Sequence, residues 1–226
     1  MARREDMHFL AVTEHNHRDA ERGAKERTDG VLIATQPQLY GGAGSESLMA
    51  TANRMTENGQ FGALYGQEFS TISSGNHMNV LDAPRVIPDA NGAFDDLMPW
   101  LDANRYTSGA APLVQFNHPK WKRRNDNNYG RDDFGGDDAL WVAAVGTKAS
   151  LIEVLNTTAT KPGQGFRPYA HEREYFEYLN LGFRLGPTVG HDNHYRNWGT
   201  SNDARTGVVA ASLGRVMPTT PPLDAE

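Results

Sequence analysis

The sequence predicts an α/β fold, a sheet or barrel of mostly parallel strands, on three observations. Short apolar, β-rich runs recur along the chain. Helical patterns fall between several of them. Polar residues close nearly every run. The runs cover residues 8–12, 61–65, 77–81, 113–116, 151–155 and 183–189, with a last strand candidate at 206–211. Residues 45–58 place Leu48, Met49, Ala52 and Met55 on one helical face. Residues 94–104 repeat this with Phe94, Leu97, Met98 and Leu101, interrupted by Pro99. Residues 139–145 read as a short apolar helix or strand. Residues 169–181 read as a helix with Tyr175, Phe176 and Leu179 apolar and Gly182 just past its end. The charged, Gly-rich stretch 120–138 reads as a long surface loop over a site, and the tail from about 216 as irregular. No internal repeat appears, so residues 1–226 are expected to form a single domain.

Composition narrows the chemistry. The chain has 226 residues and a net charge of −6, which gives no electrostatic footprint for sequence-independent nucleic-acid binding. Mean hydropathy is −0.62, and no apolar run approaches the roughly 18 residues that a membrane helix needs. Arg3 and Arg4 are followed by no apolar stretch of leader type, so a cytoplasmic location is expected. There are no cysteines, which excludes a disulfide framework, a thiolate nucleophile and a thiolate zinc site. A metal would have to be held by imidazole and carboxylate, so the 8 histidines are informative.

Four of them close or open a strand beside a polar partner. His15 follows Glu14, which suits either a ligand or a group orienting the imidazole. His77 follows Gly75-Asn76, nine residues after Glu68, and a carboxylate with an imidazole on neighbouring strand ends suits a borderline divalent metal. His118 precedes Pro119, which ends its strand. Asp192-x-His194 would send both side chains to one side of an extended chain. His8 and His171 read as structural or surface residues, and His17 and His191 as pointing elsewhere. The six expected metal ligands are therefore His15, Glu68, His77, His118, Asp192 and His194.

In order, Thr13-Glu14-His15-Asn16, Gly66-x-Glu68 with Gly75-Asn76-His77, Asn117-His118-Pro119, Ile152-Glu153-Val154-Leu155-Asn156 and Gly190-x-Asp192-x-His194 resemble the motifs of the PHP (polymerase and histidinol phosphatase) superfamily. The resemblance spans about residues 7–211. Gly75-Asn76-His77-Met78-Asn79 and Arg205-Thr206-Gly207-Val208-Val209 look most like its carbaryl-hydrolase-like branch. The resemblance implies a distorted (β/α)7 barrel with divalent metals at the strand C-termini, the same six ligands, and Glu68 as a bridge between metals. Glu14 stands where the family usually has Asp. The family's opening His-x-His motif has no counterpart before His8, so the barrel is expected to lack its first strand, leaving an open edge suited to a homo-oligomer contact.

The function expected is a metal-dependent hydrolase acting on a small-molecule ester, with one to three zinc, manganese or iron ions. A phosphoester is favoured over a carboxylester, amide or carbamate; the further alternative is a non-catalytic metal- or ligand-binding barrel. Asp192 and Glu14 are the candidate catalytic groups. Lys120, Lys122, Arg123 or Arg124, and Arg196, are candidates for holding an anionic substrate. A serine hydrolase is not expected, because no Gly-x-Ser-x-Gly elbow is present.

Overall fold

The computed structural model describes residues 2–16, 32–42, 46–71, 75–88, 93–105, 111–119, 129–158, 167–194, 197–200 and 204–209. Among the described residues, seven strands form one curled, mixed sheet. They are β1 (Phe9–Asn16), β2 (Gly62–Thr71), β3 (Gly75–Leu81), β4 (Leu113–Phe116), β5 (Ala149–Thr158), β6 (Arg167–Ala170) and β7 (Gly186–Gly190). The helices are α1 (Leu32–Thr35), α2 (Gln38–Gly41), α3 (Leu48–Met55), α4 (Phe94–Ala103), α5 (Asp138–Val145) and α6 (Glu172–Leu181).

The expected (β/α)7 barrel does not form; the sheet is a half-barrel. The reason lies in the connections. Only residues 72–74 separate β2 from β3, and a parallel crossover needs a dozen residues or more, so this pair is antiparallel. β3 also pairs antiparallel with β4. β1 with β2, β4 with β5 and β5 with β7 remain parallel. Leu155 and Asn156 of β5 pair with β7 on one edge and with antiparallel β6 on the other, just beyond the stretch that pairs with β4. β1 and β7 do not pair with each other among the described residues.

The two faces of the sheet differ in chemistry because alternate side chains leave opposite faces. Tyr65, Phe69, Met78, Val80, Val114, Phe116 and Ile152 are buried on the outside of the curl. There Tyr65 meets Tyr40 of α2 and Phe69 meets Phe94 of α4, both at 5.9 Å between ring centroids. Phe116 stacks on Tyr129 at 4.3 Å and also contacts Tyr178 of α6. The inside of the curl carries His15, Glu68, His77, Gln115, Asn117, Glu153 and Thr188. Side chains from strands that are not neighbours, such as Thr188 and Gln115, hydrogen-bond across it. A closed barrel of this type would fill its interior with branched apolar layers instead.

The helices match their patterns with adjustments. α3 starts at Ser47, whose Oγ accepts from the Ala50 amide, and it buries Met49 and Ala52 while Met55 is exposed. α4 continues through Pro99 and buries Phe94, Leu97, Met98, Trp100 and Leu101. Residues 138–145 are helical because Asp137 caps them, accepting from the Ala139 and Leu140 amides. Residues 169–170 of the expected 169–181 helix belong to β6, and the buried aromatic of α6 is Tyr178, with Phe176 exposed. Gly182 ends α6 at φ 106°, as its position suggests. Of the expected strand at 206–211, residues 210–211 lie outside the described residues and 206–209 form no strand; the Thr206 hydroxyl instead accepts from the Val189 amide at the edge of β7.

Gly66 of β2 is closely flanked by Thr13 of β1 and by Val80 and Leu81 of β3. A Cβ there would sit 2.7 Å from the Val80 carbonyl oxygen and 3.0 Å from Thr13 Cγ2. Gly66→Ala should therefore destabilise the protein by about 1–3 kcal/mol, because backbone cannot yield cheaply. Denaturant unfolding reads this, and an unchanged midpoint would contradict the close approach.

Candidate metal centre

The curl brings side chains from β1, β2, β3 and β4 to one end of the sheet. β3 runs antiparallel to its neighbours, so its first residues lie at the end where β2 and β4 finish. This places His77, near the start of β3, beside Glu68 and His118. Glu68 is 6 % exposed. Its Oε1 lies 2.9 Å from His77 Nδ1 and 3.9 Å from His118 Nε2, and its Oε2 lies 3.0 Å from His15 Nε2. His118 Nε2 and His77 Nδ1 are 2.9 Å apart. One ligand atom each from Glu68, His77 and His118 falls within 4.8 Å of the others.

This donor set fits a divalent cation. Two ring nitrogens facing each other at 2.9 Å repel unless something positive lies between them. A proton satisfies one such pair; a cation satisfies the two imidazoles and the carboxylate together. A His/His/Glu group able to hold a metal ion is thus present.

The segment that carries His118 is strained and clamped. His118 has φ 27° immediately before a proline. The Asn117 amide donates to the His77 carbonyl at 2.9 Å, and Tyr129 Oη donates to the Asn117 carbonyl at 2.5 Å. The His118 amide donates to Glu153 Oε2. Such over-determination is what holds a costly backbone conformation in place.

Glu153, in the middle of β5 and not at a strand end, is the buried carboxylate behind His118. It is 2 % exposed, and its Oε2 accepts from Asn156 Nδ2 at 3.2 Å and lies 3.5 Å from His118 Nδ1. A carboxylate behind one ring nitrogen presents the other to a metal, here Nε2. Gly190 makes room for it, since a Cβ there would overlap Glu153 Oε1. The sequence signal was a lone acid inside the apolar run Leu151-Ile152-Glu153-Val154-Leu155.

Asp192 and His194 sit at the rim. Asp192 has φ 43°, so the pair is not the extended chain expected, and the two side chains meet each other, His194 Nε2 to Asp192 Oδ1 at 3.1 Å. The His194 ring packs against His15 with centroids 5.1 Å apart, closing the mouth between the two ends of the sheet. Glu14 is not brought into the site. It alternates with His15 in β1, pairs in register with Gln67, and its Oε1 accepts from the His15 amide at 3.2 Å. His171, expected to be structural or on the surface, is buried at the start of α6. Lys120, Lys122, Arg123, Arg124, Arg196 and His17 lie outside the described residues. An open groove between α4 and α5, lined by Met98, Pro99, Phe134 and Ala144, shares no residue with this cluster.

Burial by itself raises the Glu68 pKa, but hydrogen bonds from His15 and His77 and the charges of His77 and His118 hold it well below 4.5. Burial lowers His118, yet the Glu153 hydrogen bond and the charges of Glu68, Glu153 and Asp192 carry it above 6.5. The hydrogen bond between Asp192 and His194 lowers the first and raises the second. No protein-family profile matches this chain, and no curated protein matches it.

Two expectations follow. Gly190→Ala should destabilise the protein by about 1–3 kcal/mol by overpacking Glu153, measured by denaturant unfolding, and a neutral result would remove Glu153 from beside Gly190. For the metal-free protein, protonated His118 and His194 stabilise the fold below 6.5, and this is lost as pH rises through their raised values. Ionised Glu68 stabilises above 4.5, and this is lost as pH falls through its lowered value. The Tm of chelator-treated protein should peak at mildly acidic pH and fall on both sides; a Tm that rises steadily through neutrality would contradict these charges.

Proposed function

We propose that this protein is a metal-dependent hydrolase that uses activated water on a small-molecule ester, with a phosphoester as the first substrate class to test. The observation that carries the reading is the convergence of Glu68 Oε1, His77 Nδ1 and His118 Nε2. The motif resemblance to the PHP superfamily supports the same chemistry, without its closed barrel.

Glu68, His77 and His118 would hold one divalent cation, zinc, manganese or iron. Glu68 has a second oxygen turned to His15, which suits a carboxylate shared between two ions. A bound cation supplies Lewis acidity and makes a nearby water a better nucleophile at neutral pH. The chain's own contribution is positional. Glu153 turns Nε2 of His118 inward. Asp192 holds the Nε2 proton of His194 and favours its imidazolium form at the mouth, so that the Nδ1 proton of this exposed ring could go to a leaving group. A carboxylester, amide or carbamate would use the same groups at an acyl carbon. That the site binds metal without turnover is the competing reading.

The test is elemental analysis of the purified protein, followed by assays on nitrophenyl phosphate and nitrophenyl acetate with and without chelator. We expect at least one equivalent of metal and chelator-sensitive turnover, faster on the phosphate. His118→Ala should lower metal affinity at least tenfold, as loss of a ligand or its support does. Faster turnover on acetate would move the substrate to acyl esters. Metal without turnover would leave a binding protein, and no metal would sink the proposal.

A further inference from the structure

We infer that Thr188, Gln115 and Asn117 form a one-way hydrogen-bond chain that positions Glu68 for its cation, so that Thr188 on β7 is a positioning residue for a site held by β2, β3 and β4. The inference rests on the metal-binding reading above and adds residues that no ligand pattern points to.

Thr188 Oγ1 lies 3.0 Å from Gln115 Oε1, Gln115 Nε2 lies 2.9 Å from Asn117 Oδ1, and Asn117 Nδ2 lies 3.2 Å from Glu68 Oε1. All four residues are buried. The direction follows from donor inventory. Ionised Glu68 can only accept, so Asn117 must turn its NH2 towards it. Asn117 Oδ1 then faces Gln115, which must turn its own NH2 to meet it. Gln115 Oε1 is left facing Thr188, whose hydroxyl has to donate. That hydroxyl also lies 3.1 Å from the Ile152 carbonyl, which competes for its proton. Reversing any link would put two oxygens against each other inside the curl, where an unpaired polar group is costly. The chain therefore fixes both amides and presses one N–H on the oxygen of Glu68 that also faces His77 and His118.

Thr188→Val keeps the shape of the side chain and removes the donor. We expect Zn2+ or Mn2+ affinity, measured by calorimetric titration, to fall about tenfold, the size usual for a partner of a metal ligand. Thr188→Ser should restore it. Gln115→Met, which has no donor for Asn117, should lose at least as much. In metal-free wild type the Asn117 side-chain amide should exchange slowly by NMR, and it should lose that protection in Thr188→Val. Wild-type affinity and an unchanged Asn117 amide in a folded Thr188→Val would overturn the chain. If Thr188→Val does not fold, rapid Asn117 amide exchange in metal-free wild type would overturn it equally. If wild type binds no metal, the hydrolase reading falls, and the metal-free amide measurement still decides the chain.

Discussion

Burying an ionised carboxylate inside a sheet is expensive unless donors surround it, and Glu68 sets that requirement for the rest of the molecule. It accepts from His15 of β1, His77 of β3 and Asn117 just past the end of β4. To bring those strands around one residue, the sheet must curl, and its inner face must be polar. The apolar side chains are consequently turned outward, where the helices cover them. The fold is built so that its hydrophobic core lies outside the curl and its chemistry inside.

Reversal of β3 is the topological step that makes the site possible. In an all-parallel arrangement His77, near the start of its strand, would lie at the opposite end from Glu68 and His118. The short link between β2 and β3 forces the antiparallel turn. It carries His77 to the same end and also keeps the sheet from becoming a regular (β/α)7 barrel. The local connection that breaks the expected architecture thus brings His77 to Glu68 and His118, three of the six expected ligands.

Around this cluster the protein spends conformational energy and holds it with redundant contacts. Left-handed backbone at His118 and Asp192 marks both places where a strand gives way to the site. At His118 the cost is secured by Tyr129, by the Asn117 amide and by Glu153, itself accommodated only because residue 190 has no side chain. The aromatic group on the outer face, Phe116 with Tyr129 and Tyr178, therefore supports the His118 end of the candidate metal site through one backbone carbonyl.

By itself the sequence determined many of the element types and several of the candidate ligands. Alternating and helical periodicities, the Gly182 stop and histidines at strand ends are local features, and local features are written in neighbouring residues. His15, Glu68, His77 and His118 could be picked out this way. Strand direction, closure of the sheet and partnership were decided only in three dimensions. Glu14 and His15 are equivalent in sequence, yet the pleat sends them to opposite faces. Glu153 and Thr188 look like ordinary strand residues until Gly190 and Gln115 are brought beside them. Such contacts join residues 37 and 73 positions apart. No window along the chain contains both partners, because the pairing is a property of the curled sheet.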